Sequence, residues 1–432
     1  MAERTFFHAL GLHMHQPPGN LRLLIEAKPR DAEEIIRCYE RAVRYAEVYA
    51  DVARFHVGFS GVLLEQLLDP VVVDRYRHII DIPQMLDRYR AAANIELVGM
   101  GYYHPIFPLI PCDDWLEQLE RGRGIMERVL DRVPRGFWPP ETAFTLEMIP
   151  ALLQAGYEYV VVDGDHVLPE DGVSDGLRPY TACYDGLCMT VIPQHRDLSK
   201  AQSNGLDAQW LEDELRWRAS ASPRPDAERL FASWSDGENG SWFRQTSEPS
   251  GFFGRFFAPY MERCRSGSCS VLPVCISDYL AHAGPLPRAT IQSGAWNVGC
   301  ASDDALMHWA GSPAQREAIA QVRRLSRRYW TLCRCRPDGY EVAGDAMVHA
   351  RRLILEAETS CFLCWGDAWI PHLYARTMPA EAALDEVTQA LRQLGVEPGV
   401  SAEAAAGDAT SGPASPSGIE SVQQDKRSDP GR

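Results

Sequence analysis

The chain of 432 residues has no apolar run approaching the roughly 20 residues that a membrane-crossing helix requires. Its first residues, Met1-Ala2-Glu3-Arg4-Thr5, lead straight into a strand-like run without the apolar stretch of a secretory leader, so a cytoplasmic protein is expected. Positive charge is in deficit. Against 59 Asp and Glu stand 43 Lys and Arg, a formal net charge of -16, which disfavours nucleic acid as a partner and leaves a neutral polymer permitted. There is no H-E-x-x-H, no G-x-S-x-G, no P-loop and no Rossmann glycine fingerprint, so zincin, esterase and nucleotide-binding readings lack their motifs. The single C-x-x-C, Cys361 with Cys364, has no second copy to complete a four-ligand zinc pattern. A chain of this length can build its core without disulfides, and the 12 cysteines, including Cys333 and Cys335, are read as free thiols, the close pairs as small buried side chains.

What is present is the balance of a soluble globular enzyme, 45% hydrophobic and 24% charged. Short apolar runs alternate with helical patterns. The runs Thr5–Leu12, Arg54–Phe59, Ile95–Met100, Gly136–Trp138, Tyr159–Asp163, Met189–Ile192 and Leu230–Trp234 are predicted strands. Ala32–Val52 and Leu146–Ala155 are predicted helices, the second with Leu146, Ile149, Leu152 and Leu153 on one face. Repeated strand–helix units favour a parallel sheet. Beyond about Ser302 long helices, Ala305–Trp330 and Glu341–Cys361, replace the alternation. Three regions follow: a barrel over 1–290, a helical region over 291–398, and a disordered tail over 399–432 that is rich in Ala, Ser, Gly and Pro and has almost no large apolar residues.

Acids and histidines gather just after the predicted strands: His13 and His15, His104, Glu141, Asp163, Asp165 and His166, and Asp236 with Glu238. In a barrel the C-terminal strand ends converge on one face, whereas a doubly wound sheet collects ligand groups mainly at one switch point. Polar groups after nearly every strand favour the barrel. Cleavage of a glycosidic bond needs two carboxyl groups flanking that bond. Glu141 and Asp236 end different strands, so a fold can face them across a cleft. Two prolines stiffen the chain before Glu141, and Gly237 permits a sharp turn after Asp236. Either residue alone reads equally well as a helix cap or a surface carboxylate; the pair and its aromatic company carry the argument. Trp138 precedes Glu141, Trp234 and Trp242 flank Asp236, and Trp296, Trp309, Trp365 and Trp369 follow. Flat side chains of this kind stack on the apolar faces of sugar rings, although several of the eleven tryptophans must be core. His13, His15 and His104, with Asp163 or Asp165, suit either a zinc site or hydrogen bonding to sugar hydroxyls and to a nucleophile.

The segments His13-Met14-His15-Gln16-Pro17, Phe59 to Leu67, Glu96-Leu97-Val98-Gly99-Met100-Gly101-Tyr102-Tyr103-His104-Pro105, Gly136-Phe137-Trp138-Pro139-Pro140-Glu141, Trp234-Ser235-Asp236-Gly237-Glu238-Asn239, Ser293-Gly294-Ala295-Trp296-Asn297, and Glu358 through Trp369 stand in order along the chain. Taken together they resemble glycoside hydrolase family 57. Each motif alone is weakly specific; five or more in order over residues 6–390 are specific. The resemblance implies an irregular seven-stranded (β/α) barrel followed by helices, with Ser293–Asn297 in the helical part. It implies retaining chemistry on α-linked glucans, no cofactor and no required metal. Glu141 then matches the nucleophile and Asp236 the acid/base. His13, His15, His104, Trp138, Trp234, Glu238, Trp296 and Asp367 become candidate substrate-binding residues. The expected partner is a starch- or glycogen-like polysaccharide or oligosaccharide. The family's activities include α-amylase, amylopullulanase, 4-α-glucanotransferase, branching enzyme and α-galactosidase, and the chain matches no single branch cleanly. The competing readings are a metal-dependent carbohydrate deacetylase and a non-catalytic glucan-binding protein on the same barrel.

Overall fold

The computed structural model describes residues 6–173, 176–204, 206–222, 229–238, 248–296, 305–335 and 343–398. The predicted tail, Trp242, Asn239 and Asn297 lie outside them. Among the described residues no helix is long and apolar enough to cross a membrane.

Among the described residues there are eleven strands: β1 (Phe6–Met14), β2 (Phe55–Phe59), β3 (Ile95–Gly99), β4 (Gly136–Phe137), β5 (Tyr159–Asp163), β6 (Val167–Pro169), β7 (Tyr180–Tyr184), β8 (Leu187–Gln194), β9 (Arg229–Asp236), β10 (Val271–Pro273) and β11 (Ala289–Ile291). Seven of them, β1-β2-β3-β4-β5-β8-β9, run parallel, and β9 pairs back onto β1 to close a barrel. All seven predicted strands belong to this ring. The unpredicted strands decorate it: β10 adds to β1, β7 folds back on β8 as a hairpin, and β6 pairs with β11 outside the barrel.

Successive strand side chains alternate between the barrel interior and the surrounding helices. On β1, Ala9 packs in the central cluster with Ala232 and Trp234, whereas Leu10, Leu12 and Met14 pack outward in the largest apolar cluster. Gly11 needs to be glycine, because a Cβ there would lie 2.0 Å from the Trp234 ring. On β5, Tyr159 and Val161 face inward and Val160 and Val162 outward. The outward surfaces are covered by helices such as Pro29–Val48 and Cys112–Leu130.

The predicted helices are partly redrawn. Leu146–Ala155 is a 3-10 turn, Leu146–Met148, leading into a short α-helix, Ile149–Gln154. Ala305–Trp330 is two helices, Met307–Ala310 and Pro313–Cys335, the second opened by a proline suited to a first helical turn. Gly344–Ala357 replaces Glu341–Cys361, and an unpredicted helix, Ile370–Gln393, packs against it despite an interior Pro379. Ser293–Trp296 is not helical; it leaves β11 and bridges to Phe144.

The C-terminal helices are tied to Cys112–Leu130 through a buried polar cluster. Arg351 meets Asp114 at 2.7 Å and Glu117 at 2.7 Å, Ser326 and the Trp330 indole donate to Asp114, and Gln118 donates to Glu358.

The cysteine expectations fail in three places. Cys183 and Cys188 face each other across the β7–β8 hairpin and are joined by a disulfide, so not all thiols are free. Cys364 is exposed while Cys361 is buried, because the C-x-x-C forms a single helical turn with one side to the surface. Cys333 and Cys335 are only half-buried.

Candidate active site

Strand register builds the core of the site. In the parallel pair β1–β9, His13 lies opposite Asp236, as Gly11 lies opposite Trp234. Both residues continue the inward-facing rows of their strands, so their side chains meet at the barrel mouth, His13 Nε2 lying 3.2 Å from Asp236 Oδ1. Gly237 then donates its N–H to His13 O at 2.7 Å, and a Cβ on Gly237 would come 2.6 Å from Met14 Cγ. The glycine is required by close approach to β1 and not by the turn, since its φ is not left-handed.

Glu141 reaches the same mouth by a different route. After β4, Pro139 holds an extended conformation, and Glu141 and Thr142 then both take left-handed conformations, φ 59° and 51°. A non-glycine residue there costs on the order of 1 kcal/mol or more, so the surroundings must hold it. They do: Thr142 N–H bonds Pro139 O, Phe144 and Gly294 exchange backbone bonds, and Trp296 N–H bonds Glu141 O at 3.0 Å. The Trp296 indole N–H also donates to Glu141 Oε2 at 2.6 Å. Gly294 permits this approach, since a Cβ there would fall 2.2 Å from His166. Burial pushes the Glu141 carboxyl up to about 7, the nearby Asp236 charge adds to the rise, and the Trp296 bond opposes it.

The histidines form a stack. His15 lies over His104 with ring centres 4.0 Å apart, and His13 stacks on Trp138 at 4.5 Å. His104, itself at φ 59°, is fixed by Ser360, whose Oγ lies 2.8 Å from His104 Nδ1 and whose N–H bonds His104 O. The C-terminal part thus positions a barrel residue. His15 Nδ1 is 2.8 Å from Ser60 Oγ. Burial lowers the pKa of all three imidazoles; Asp236 opposes this at His13, and neighbouring histidines reinforce it at His15 and His104. They are therefore neutral hydrogen-bonding groups near pH 7.

A cleft of about 230 Å³ opens beside Asp236, bordered by Gln194, Arg196, Lys200, Ser203, Asn204 and Trp296. Its hydroxyl, amide and cationic groups suit a polyhydroxylated ligand.

Several expected side chains sit elsewhere. Trp138 is fully buried beneath His13 and donates to Gln194, so it offers no free face for a sugar. Trp234 is also fully buried, filling the space left by Gly11. Glu238 points into the protein and accepts from Tyr39 at 2.8 Å and Gln16 at 3.2 Å; burial and then Asp236 push its carboxyl up to about 7. Asp367 is exposed and accepts from Ser312. Trp309 is core, whereas Trp296 and Trp369 are half-buried and Trp365 is exposed. The zinc set with Asp163 or Asp165 does not assemble, because both carboxylates pair with Arg196. The grouping that does assemble is His13, His104 and Glu141, with one ligand atom from each lying within 4.8 Å of the others. Ser60, Gln194 and Ser360 were not singled out from sequence. Ser60 and Ser360 lie inside quoted motifs, but nothing local connects Ser360 to a histidine 256 residues away.

Comparison with known proteins fits this arrangement. An α-amylase of Pyrococcus horikoshii is 32% identical over 190 residues, and a 4-α-glucanotransferase of Thermococcus litoralis is 31% identical over 186. Each match takes in 42% of this chain and 26% of the relative, so the chain spans about a quarter of the length of these curated relatives. Among solved structures, a branching enzyme of Thermococcus kodakaraensis superposes with TM-score 0.66 at 15% identity, over 90% of this chain and 91% of that one. The Thermococcus litoralis 4-α-glucanotransferase superposes with TM-score 0.60 at 20% identity, over 90% and 60%. At those identities the likeness speaks for the fold alone. The sequence model of glycosyl hydrolase family 57 matches residues 9–256, more than half of the chain and the whole span from His13 to Asp236, and the chain belongs to that family.

Proposed function

We propose that this chain is a retaining carbohydrase acting on α-linked glucans, by hydrolysis or by transfer of a 4-α-glucan segment, with Glu141 as nucleophile and Asp236 as acid/base. The observation that carries the reading is the meeting of Glu141 and Asp236 at one barrel mouth on either side of His13, which lies 3.2 Å from Asp236 and has a ring nitrogen within 4.8 Å of a Glu141 oxygen. In the first step Glu141 attacks the anomeric carbon while Asp236 protonates the departing glycosidic oxygen. In the second Asp236 takes a proton from water or from an acceptor hydroxyl, which displaces Glu141. His13 orients Asp236, and Trp296 holds Glu141 by a donor that strengthens as the carboxylate bears charge. The cleft beside Asp236 is the natural place for the leaving or accepting sugar.

One observation favours exchanged roles. A carboxyl pushed up to about 7 is the environment of a proton donor, and that carboxyl is Glu141. The family pattern together with the Trp296 donor nevertheless favours Glu141 as the ionised partner. Product chromatography after incubation with amylose, maltooligosaccharides and glycogen tests the activity. No cleavage or transfer on any of them by folded protein would refute it. A cytoplasmic location forms part of the same proposal.

A further inference from the structure

We infer that the mouth of the barrel contains a binding site for a borderline divalent transition cation of the zinc class, held by His13, His104 and Glu141, and that occupancy shuts the site off rather than serving it. The inhibitory half rests on the proposed function; the binding half does not.

The donor set is the first ground. Two imidazoles and one carboxylate are ligands that zinc takes readily, and their atoms already lie within 4.8 Å of one another. Bound at about 2.0–2.1 Å in a tetrahedron they would stand about 3.4 Å apart, a closure of up to about 1.4 Å that falls to the His13 and Glu141 torsions.

The second ground is unused bonding capacity. His104 is buried, at 1% exposure, and Ser360 engages its Nδ1, so its ring is fixed while Nε2 has no partner. Metal-binding histidines are held in this way, one nitrogen fixed by a neighbour and the other presented to the ion. His13 is likewise buried with Nδ1 unpartnered, its Nε2 being against Asp236. The unpartnered Nε2 of His15, stacked on His104, is a further donor close by. Buried polar atoms left without partners are uncommon, and three in one stack of rings point to something that they bind.

Third, occupancy has a consequence for the reaction. A cation bonded to a Glu141 oxygen removes the lone pair that must attack the anomeric carbon and fills the space in front of it. With imidazole as two of its three ligands the site discriminates against Mg²⁺ and Ca²⁺, which prefer oxygen.

The test uses the full chain stripped with EDTA and dialysed, titrated calorimetrically with zinc chloride, with X-ray absorption at the zinc edge on the loaded protein. The expected result is one zinc per chain with two imidazoles in its first coordination sphere. Affinity should fall at least about 100-fold in His104→Ala and about 10-fold in Ser360→Ala, which leaves the ligand in place and loosens it. Excess Mg²⁺ should not compete. Where His104→Ala fails to fold, Ser360→Ala and the absorption spectrum decide. Absence of saturable binding, an imidazole-free spectrum, or unchanged affinity in Ser360→Ala and any folded His104→Ala overturns the site. Glucan activity of the stripped chain should vanish at one equivalent of zinc and return with EDTA. Activity that survives full occupancy overturns the inhibitory role, as does activity that requires zinc. Zinc bound as described to a chain inactive on every glucan leaves the site standing and refutes the proposed function instead.

Discussion

Trp296 grips Glu141 twice, by its backbone N–H to the glutamate carbonyl at 3.0 Å and by its indole N–H to Oε2 at 2.6 Å. One contact secures the left-handed backbone and the other aims the carboxylate. The role of Trp296 is therefore a donor's as much as an aromatic platform's.

Replacing Trp296 with Phe keeps most of the ring and removes the donor. A hydrogen bond to a charged group is worth about 1.5–3 kcal/mol, so kcat/KM should fall about 10- to 100-fold. The indole bond holds the Glu141 pKa down, so its loss raises it. The acid limb of the kcat/KM profile, expected near pH 7 in the wild type, should move to higher pH. An unchanged limb would make Trp296 a packing residue only.

The two carboxylates should fail differently. Glu141→Gln should abolish turnover on every substrate, since no glycosyl–enzyme bond can form. Asp236→Asn should be severe with glucans and milder with activated aryl α-glycosides, whose leaving groups need less protonation. Azide should partly rescue the latter variant. Proton NMR should find the first-formed wild-type product in the α configuration. The opposite pattern of rescue would exchange the two roles, and a first-formed β product would refute the retaining mechanism.

Glu238 should make stability depend on pH. Its carboxyl rises from an ordinary 4.5 to about 7 on folding, so between those values the native state holds a proton that the unfolded state has lost. Stability from this group is therefore lost as pH rises through that window, by roughly 3 kcal/mol at full ionisation. Glu238→Gln keeps an acceptor for Tyr39 and Gln16 and cannot ionise. Its denaturant midpoint should exceed that of the wild type at pH 8 and match it near pH 4.5. A difference independent of pH would contradict this.

The buried cluster between barrel and C-terminal helices should be costly to break. Arg351→Ala leaves Asp114 buried beside Glu117 without its cation, a loss of about 3–5 kcal/mol in chemical denaturation. Activity should suffer as well, because the helix carrying Arg351 leads directly to Ser360 and thus to His104. A stable variant with normal kinetics would show that the cluster does not support the site.

The barrel strands were legible because each is a short apolar run bounded by polar residues, and alternation along a strand is a local property. β6, β7, β10 and β11 were not, being short, partly exposed or held only by a partner far along the chain. Trp138 and Trp234 could be located as aromatic neighbours of the two acids. Which tryptophan faces a cleft depends on what packs over it, and His13 and the gap at Gly11 cover or absorb those two.

By itself the sequence determined which residues stand at strand ends, and therefore that Glu141, Asp236, His13 and His104 would gather wherever those ends converge. Chemical type and two-residue periodicity are written residue by residue. Tertiary structure alone decided the partners: the β1–β9 register that sets His13 against Asp236, the strap from β11 that brings Trp296 to Glu141, and the link from the C-terminal helices that fixes His104 through Ser360. Each joins residues more than 150 positions apart. Closing loops of that length costs entropy that only the assembled core repays, so no local pattern in the chain records them.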